Sequence, residues 1–143
     1  MRTTAIYQRY ADAPPAELLV PTREAVVAMK LIAWVDRRTC RDLYDLMAMA
    51  DRNMITREAS AVFTTRGQTA RPLAVRYFRN PPDEARWIED LGHQCRLNVT
   101  AVRAIERVAG ALADVGALDG ECPGDIDAPP WLSTPATHRR RQA

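Results

Sequence analysis

Lys30 is the one lysine among 20 basic residues, the other 19 being arginine. In a chain so rich in arginine and alanine, the drift of a GC-rich coding sequence, a retained lysine draws attention to what an ammonium does and a guanidinium does not. It sits as a compact point charge against a phosphate, and it changes its protonation state. One helical turn away stand Val26, Val27, Ala33 and Trp34, all apolar. An ammonium on such a face either lays its stem along the core with the charge at the rim, or meets an anion within the fold. A structural salt bridge and a functional amine are both open readings. The anions follow soon after: Asp42 and Asp45, three residues apart, project from one side of a helix, and Arg38 and Arg41 are placed to pair with them, Arg41 to Asp45 at the four-residue spacing. The run Asp36-Arg37-Arg38, Arg41-Asp42 and Asp45 is either a solvated ion-pair network or a phosphate clamp. In the second case lysine and arginine would hold a triphosphate while a carboxylate takes the proton of an attacking hydroxyl.

Helices must carry these groups. Thr22 is a good N-cap for a helix over Arg23 to Asp36, with apolar residues at Val26, Val27, Leu31, Trp34 and Val35. Arg37 and Arg38 fall in a turn. Thr39 followed by Asp42 resembles a capping box with a shorter acid than usual and opens a second helix over Cys40 to Ala50, closed by Asn53. A tight turn makes the two helices antiparallel neighbours, which brings Lys30 within reach of Asp42 or Asp45. Thr56 caps a third helix over Arg57 to Thr65, for which Gly67 supplies a left-handed stop. Before the first helix, Glu17 to Val20 is a short extended run, and Tyr7 to Pro15 reads as loop or edge strand. Leu73 to Phe78 is either a strand or a bridging segment between Pro72 and Pro81-Pro82. Two further helices span Asp83 to Gly92 and Val99 to Asp114.

The 143 residues suit one domain at ~150 residues per domain. Residues 1–115 read as a helical domain and 116–143, rich in glycine and proline and ending in Arg139-Arg140-Arg141, as a largely disordered tail. With 47% hydrophobic residues there is apolar mass for a core, which excludes wholesale disorder. A net charge of +2 is too small for the field of the whole molecule to attract nucleic acid, so any such contact needs a local patch. The longest apolar run, Ala25 to Val35, is too short for a bilayer and is broken by Lys30, which predicts no membrane partner and a cytoplasmic protein. Cys40, Cys95 and Cys122 are odd in number and widely spaced, as reduced thiols without a disulfide partner would be. His93 near Cys95 is too little for a zinc site.

The stretch Val20-Pro21-Thr22-Arg23-Glu24-Ala25-Val26-Val27-Ala28-Met29-Lys30-Leu31-Ile32-Ala33, then Asp36-Arg37, then Arg41-Asp42-Leu43-Tyr44-Asp45-Leu46, resembles the rear motifs of the AbiEii/AbiGii nucleotidyltransferase toxins of bacterial toxin–antitoxin and abortive-infection systems. These motifs are a helix with a lysine, a turn with arginine and an Arg-Asp-Leu-x-Asp-Leu helix. The likeness continues more loosely through Trp87, Leu91 and Gln94, where core packing at helical spacing is the preferred reading of Trp87 and Leu91. The resemblance implies a mainly α chain, the helical rear portion of a nucleotidyltransferase-like α/β fold with at most one or two short strands. It matches Lys30 to the family's nucleotide-contacting lysine and Asp45 to its rear catalytic aspartate, with Arg41 and Asp42 at accompanying nucleotide-binding positions.

Complete members would use Mg2+ and a nucleoside triphosphate to modify RNA such as tRNA, opposed by a cognate antitoxin. Their metal-holding Gly-Ser turn and acidic pair find no counterpart ahead of Lys30, and with glycine absent from the first 66 residues no Gly-Ser turn can precede the first helix. Asp125-Ile126-Asp127, in the tail, lies on the wrong side of the helices. The expectation is therefore a truncated toxin-like component, inactive alone, with no cofactor or metal site of its own. The alternative is a noncatalytic helical module that binds an antitoxin, an RNA or another copy of itself.

Overall fold

The computed structural model describes residues 2–5, 17–67 and 72–119. Tyr7 to Pro15, Cys122, Asp125-Ile126-Asp127 and the terminal arginines lie outside the described residues. Strands β1 (Arg2–Ala5) and β2 (Glu17–Val20) pair antiparallel with Arg2 opposite Val20. They lead into α1 (Arg23–Arg37), α2 (Cys40–Asp51) and α3 (Arg57–Arg66). Strand β3 (Leu73–Ala74) runs into a 3-10 turn, Val75–Phe78, followed by α4 (Glu84–Leu91), α5 (Ala101–Asp114) and β4 (Leu118–Asp119). The chain is mainly helical, as the sequence implies, but its described residues form four short strands rather than one or two.

Each helix starts where a short oxygen-bearing side chain satisfies free amide groups. Thr22, Thr39, Thr56 and Thr100 each accept a hydrogen bond from the amide three residues on, and Asp83 from those of Ala85 and Arg86. The ends are less uniform. Asn53 (φ 53°) and Gly116 (φ 64°) are left-handed, each inside a Schellman pair of bonds: Asn53 to Ala50 with Met54 to Met49, and Gly116 to Ala113 with Ala117 to Leu112. Gly67 does not supply a left-handed stop. Its backbone is extended, at φ −65° and ψ 152°, and glycine matters there because a Cβ would stand 2.7 Å from the Phe63 carbonyl oxygen.

The core is one cluster built on Trp34, Trp87, Phe78, Leu31, Leu43, Leu46, Ile105 and Leu112. Two buried indoles tie irregular segments to it, because a buried Trp N–H needs an acceptor. Trp34 donates to the Tyr77 carbonyl at 3.0 Å and Trp87 to the Val99 carbonyl at 3.0 Å. The first bond holds the 3-10 turn against α1, with Phe78 stacked 6.5 Å from Trp34. The 73–78 run is thus a two-residue strand and a turn, and β3 pairs parallel with β4. Gly116 to Asp119, read from composition as the start of the tail, still belong to the packed unit, and Ala117 is buried. The left-handed Gly116 turns the chain back toward β3.

Gly116→Ala should cost about 1–2 kcal/mol in urea unfolding, because a Cβ would make only ordinary contact with Arg57, at 3.7 Å, and the left-handed backbone alone penalises it. A variant as stable as the parent would show that this turn adapts freely.

Candidate functional site

Lys30 stands at the edge of the apolar stripe of α1, beside buried Val27, Leu31 and Trp34, on the side where α2 packs. Its side chain is one-third exposed, and the ammonium lies 2.5 Å from Asp45 Oδ2 and 3.5 Å from Asp42 Oδ1. The stem follows the core and the charge meets anions at the rim, so the two placements open to an ammonium on such a face are combined. Hydrogen bonding to Asp45, with the charges of both acids, raises the Lys30 pKa above its ordinary 10.5 despite partial burial. The amine is a fixed cation at physiological pH, which removes proton shuttling from its repertoire.

Asp42 is buried, at 2% exposure. Its carboxylate is satisfied by Arg37 through both oxygens (3.2 and 3.1 Å), by the Thr39 hydroxyl (2.7 Å) and by Lys30. Thr39 in turn accepts from the Asp42 amide, so the capping box forms, but the short acid closes it on the cap's hydroxyl. Nested pairing, Arg37 with Asp42 near the turn and Lys30 with Asp45 further along, makes α1 and α2 an antiparallel hairpin.

Of the expected pairs, those of Asp42 and Asp45 with Arg38 and Arg41 do not form. Arg38, left-handed at φ 54°, turns away and lies over the rings of Trp34 and Tyr77 at 5.5 and 5.8 Å. Arg41 is exposed, and no bond or ion pair links it to the described residues. Arg37 takes the role instead. It is the last residue of α1 rather than part of the turn, and it follows Lys30 by seven positions, two turns on the same face. That spacing was visible in the sequence.

Lys30, Arg37, Arg41, Asp42 and Asp45 line one wall of an open cleft of about 830 Å³. The other wall, Arg86, Glu89, Asp90 and His93 of α4 and the turn after it, was missed. Its residues repeat at i, i+3, i+4 and i+7, a polar stripe opposite the buried Trp87 and Leu91. Trp87 and Leu91 are core residues as their spacing allowed, and the Trp87 ring packs 6.2 Å from Tyr44 to hold α4 against α2. Cys40 lies where the walls meet. Burial, with the Asp90 carboxylate beside it, pushes its thiol up to about 11. Cys40 and Cys95 are free thiols.

Lys30→Ala should destabilise by no more than about 1 kcal/mol, because Asp42 keeps Arg37 and Thr39 and the lost pair is partly exposed. Asp42→Ala, which strips the cap and both cations of their anchor, should cost about 1.5–3 kcal/mol. Chemical denaturation checks both, and a loss of ~3–5 kcal/mol for Lys30→Ala would mark it as a buried structural partner.

A second expectation concerns alkaline solution. The Cys40 pKa is raised on folding from 9.0 to about 11, so its contribution to stability is whole below pH 9 and is lost as pH climbs through 11. Cys40→Ala should flatten that decline. In the native protein at pH 8, alkylation followed by peptide mapping should label half-buried Cys95 well ahead of Cys40.

The family model for the nucleotidyl transferase AbiEii toxin of type IV toxin–antitoxin systems matches residues 2–113. No curated protein and no solved structure matches the chain.

Proposed function

Because the chain belongs to the AbiEii nucleotidyltransferase toxin family, we propose that the Lys30–Asp45 cluster is the phosphate-clamping and hydroxyl-activating half of a nucleotidyl-transfer site. The observation that carries this reading is the placement of the Lys30 ammonium against Asp45 at a cleft wide enough for a nucleotide, on the family's matched segment. Lys30, held charged, would move from Asp45 onto the oxygens of a bound triphosphate. Arg41, exposed and without a partner among the described residues, adds a second cation. Asp45, nearly half exposed, is then free to accept the proton of the attacking hydroxyl as the new phosphodiester forms and pyrophosphate leaves. Asp42 acts from the floor of the cleft. Its oxygens are taken up by Lys30, Arg37 and Thr39, so it positions cations and is not itself a nucleotide contact.

Nucleotidyl transfer in this superfamily draws on magnesium to offset phosphate charge. Among the described residues no three carboxylate, imidazole or thiol side chains converge as a metal cage, and Asp42 is already taken up by Arg37, Thr39 and Lys30. These residues do not fit a resident magnesium ion, and their part is confined to holding phosphate charge and moving one proton. We infer that transfer also needs metal-holding acids from outside this cluster, and we propose that the chain by itself is inactive. As the toxin side of a toxin–antitoxin pair its expected partner is a cognate antitoxin, and its expected substrate an RNA such as tRNA.

Labelled nucleoside triphosphates, magnesium and total tRNA should give no product with the 143-residue chain alone. Product should appear when the front segment of a complete relative is fused ahead of Met1, and Lys30→Ala or Asp45→Asn should then reduce transfer at least about a hundredfold, the scale of lost charge stabilisation. Transfer by the chain alone would overturn the need for outside acids. Unchanged transfer in the Lys30 and Asp45 variants would overturn the site.

A further inference from the structure

The 3-10 turn and the α1–α2 turn together set two guanidinium groups against the half-buried Tyr77 ring, one of them also over the buried Trp34 ring. Arg38 lies over Trp34 and Tyr77, and Arg76 also over Tyr77 at 5.1 Å, with a 3.4 Å hydrogen bond to its hydroxyl. Arg76 is exposed, Arg38 and Tyr77 are half-buried, and next in the chain comes Arg37, mostly exposed and already on the wall of the cleft. Arg38 is the chain neighbour of Arg37, which with Arg41 lines the cleft, whose other wall carries Glu89 and Asp90 beside Arg86. Among the described residues the deeply buried acid at this end is Asp42, which is already neutralised by Lys30 and Arg37.

Two features set this strip apart from ordinary surface charge. Arg38 occupies a left-handed backbone position that glycine or asparagine would take without strain, and asparagine does take the equivalent place after α2. Among the described residues no acid holds the guanidinium of Arg38; it rests on rings. Interleaved cations and π-faces are what a single-stranded polynucleotide asks for, with phosphates on the cations and bases on aromatic or guanidinium planes. An acidic peptide would use the charges and leave the rings without a role.

We propose that Arg76, Tyr77 and Arg38 form a docking strip for single-stranded RNA that leads its end past Arg37 into the Lys30 cleft. The direction of the strand rests on the transfer reading above, while docking itself is tested without catalysis. A bound base replaces the Arg76 guanidinium on the Tyr77 ring, and the freed charge meets the neighbouring phosphate.

The test is fluorescence anisotropy of a labelled oligouridine of about 10 nucleotides, a length one such site accommodates, titrated with the full chain across a range of salt. Arg76→Ala and Arg38→Gly should each weaken binding several-fold and lower the slope of log affinity against log salt by about 0.7, one single-strand phosphate contact. Tyr77→Leu, which keeps the apolar contact but not the ring, should weaken it about tenfold with the slope unchanged. Arg38→Gly suits the backbone, so its melting temperature stays within a few degrees of the parent and the loss is not one of folding. Arg103→Ala, an exposed arginine of α5 paired with Glu106, should change nothing. The proposal is overturned if the chain does not bind, if the three strip variants bind as well as the parent, or if polyglutamate competes as well as RNA per charge. It is equally overturned if replacing Arg139, Arg140 and Arg141 by Gln abolishes binding. Failure of the transfer reading shows only in the product assay, and leaves the anisotropy result standing.

Discussion

A carboxylate taken out of water must be neutralised where it stands, and Asp42 organises this end of the molecule by that requirement. Its place three residues into the Thr39 cap puts it under the α1–α2 turn, where the first turn of a helix favours negative charge. Two cations from the preceding helix reach it, two turns apart on one face, and in doing so they set the register of the hairpin. Lys30 is left leaning across to Asp45 at the surface. The reactive-looking pair at the rim is thus supported from beneath by a pair whose role is geometry.

The opposite wall depends on different physics. α4 carries too few residues to be stable alone and is held by what it buries: Trp87 and Leu91 enter the core, and the Trp87 indole is anchored on the Val99 carbonyl. Glu84 accepts from the Ala101 amide and couples the start of α4 to the start of α5. Its outward stripe faces the hairpin across the cleft, with Cys40 wedged at the junction. A neutral thiol suits that position, since a thiolate beside Asp90 would add a charge where burial and a neighbouring acid both oppose it.

Lys30 and Asp45 are the pair whose partners can change without unfolding anything. Both are partly exposed, and their mutual contact is worth little in water, so a triphosphate could compete for the lysine at small cost. The same exchange would be prohibitive for Asp42, whose desolvation has already been met by the fold. Burial separates a group that can take part in chemistry from one that can only position it.

The helices were legible in the sequence because their signals are local: a threonine before each of the first three, an apolar stripe at helical spacing, asparagine after α2. The approach of Lys30 to the acids of α2 was legible too, since a two-residue turn leaves few other arrangements. The choice between Arg37 and Arg38 was not made by those signals. It turned on one residue's backbone going left-handed, which sent Arg38 onto Trp34 and Tyr77, more than thirty positions apart in the case of the tyrosine, and left Arg37 in the helix facing Asp42. The α4 wall, the strip along the 3-10 turn and the pairing of β3 with β4 likewise join segments far apart in the chain. Their contacts exist only once the two indoles and the shared core have brought those segments together, because a side chain's partner across the fold is set by packing and not by its neighbours in sequence.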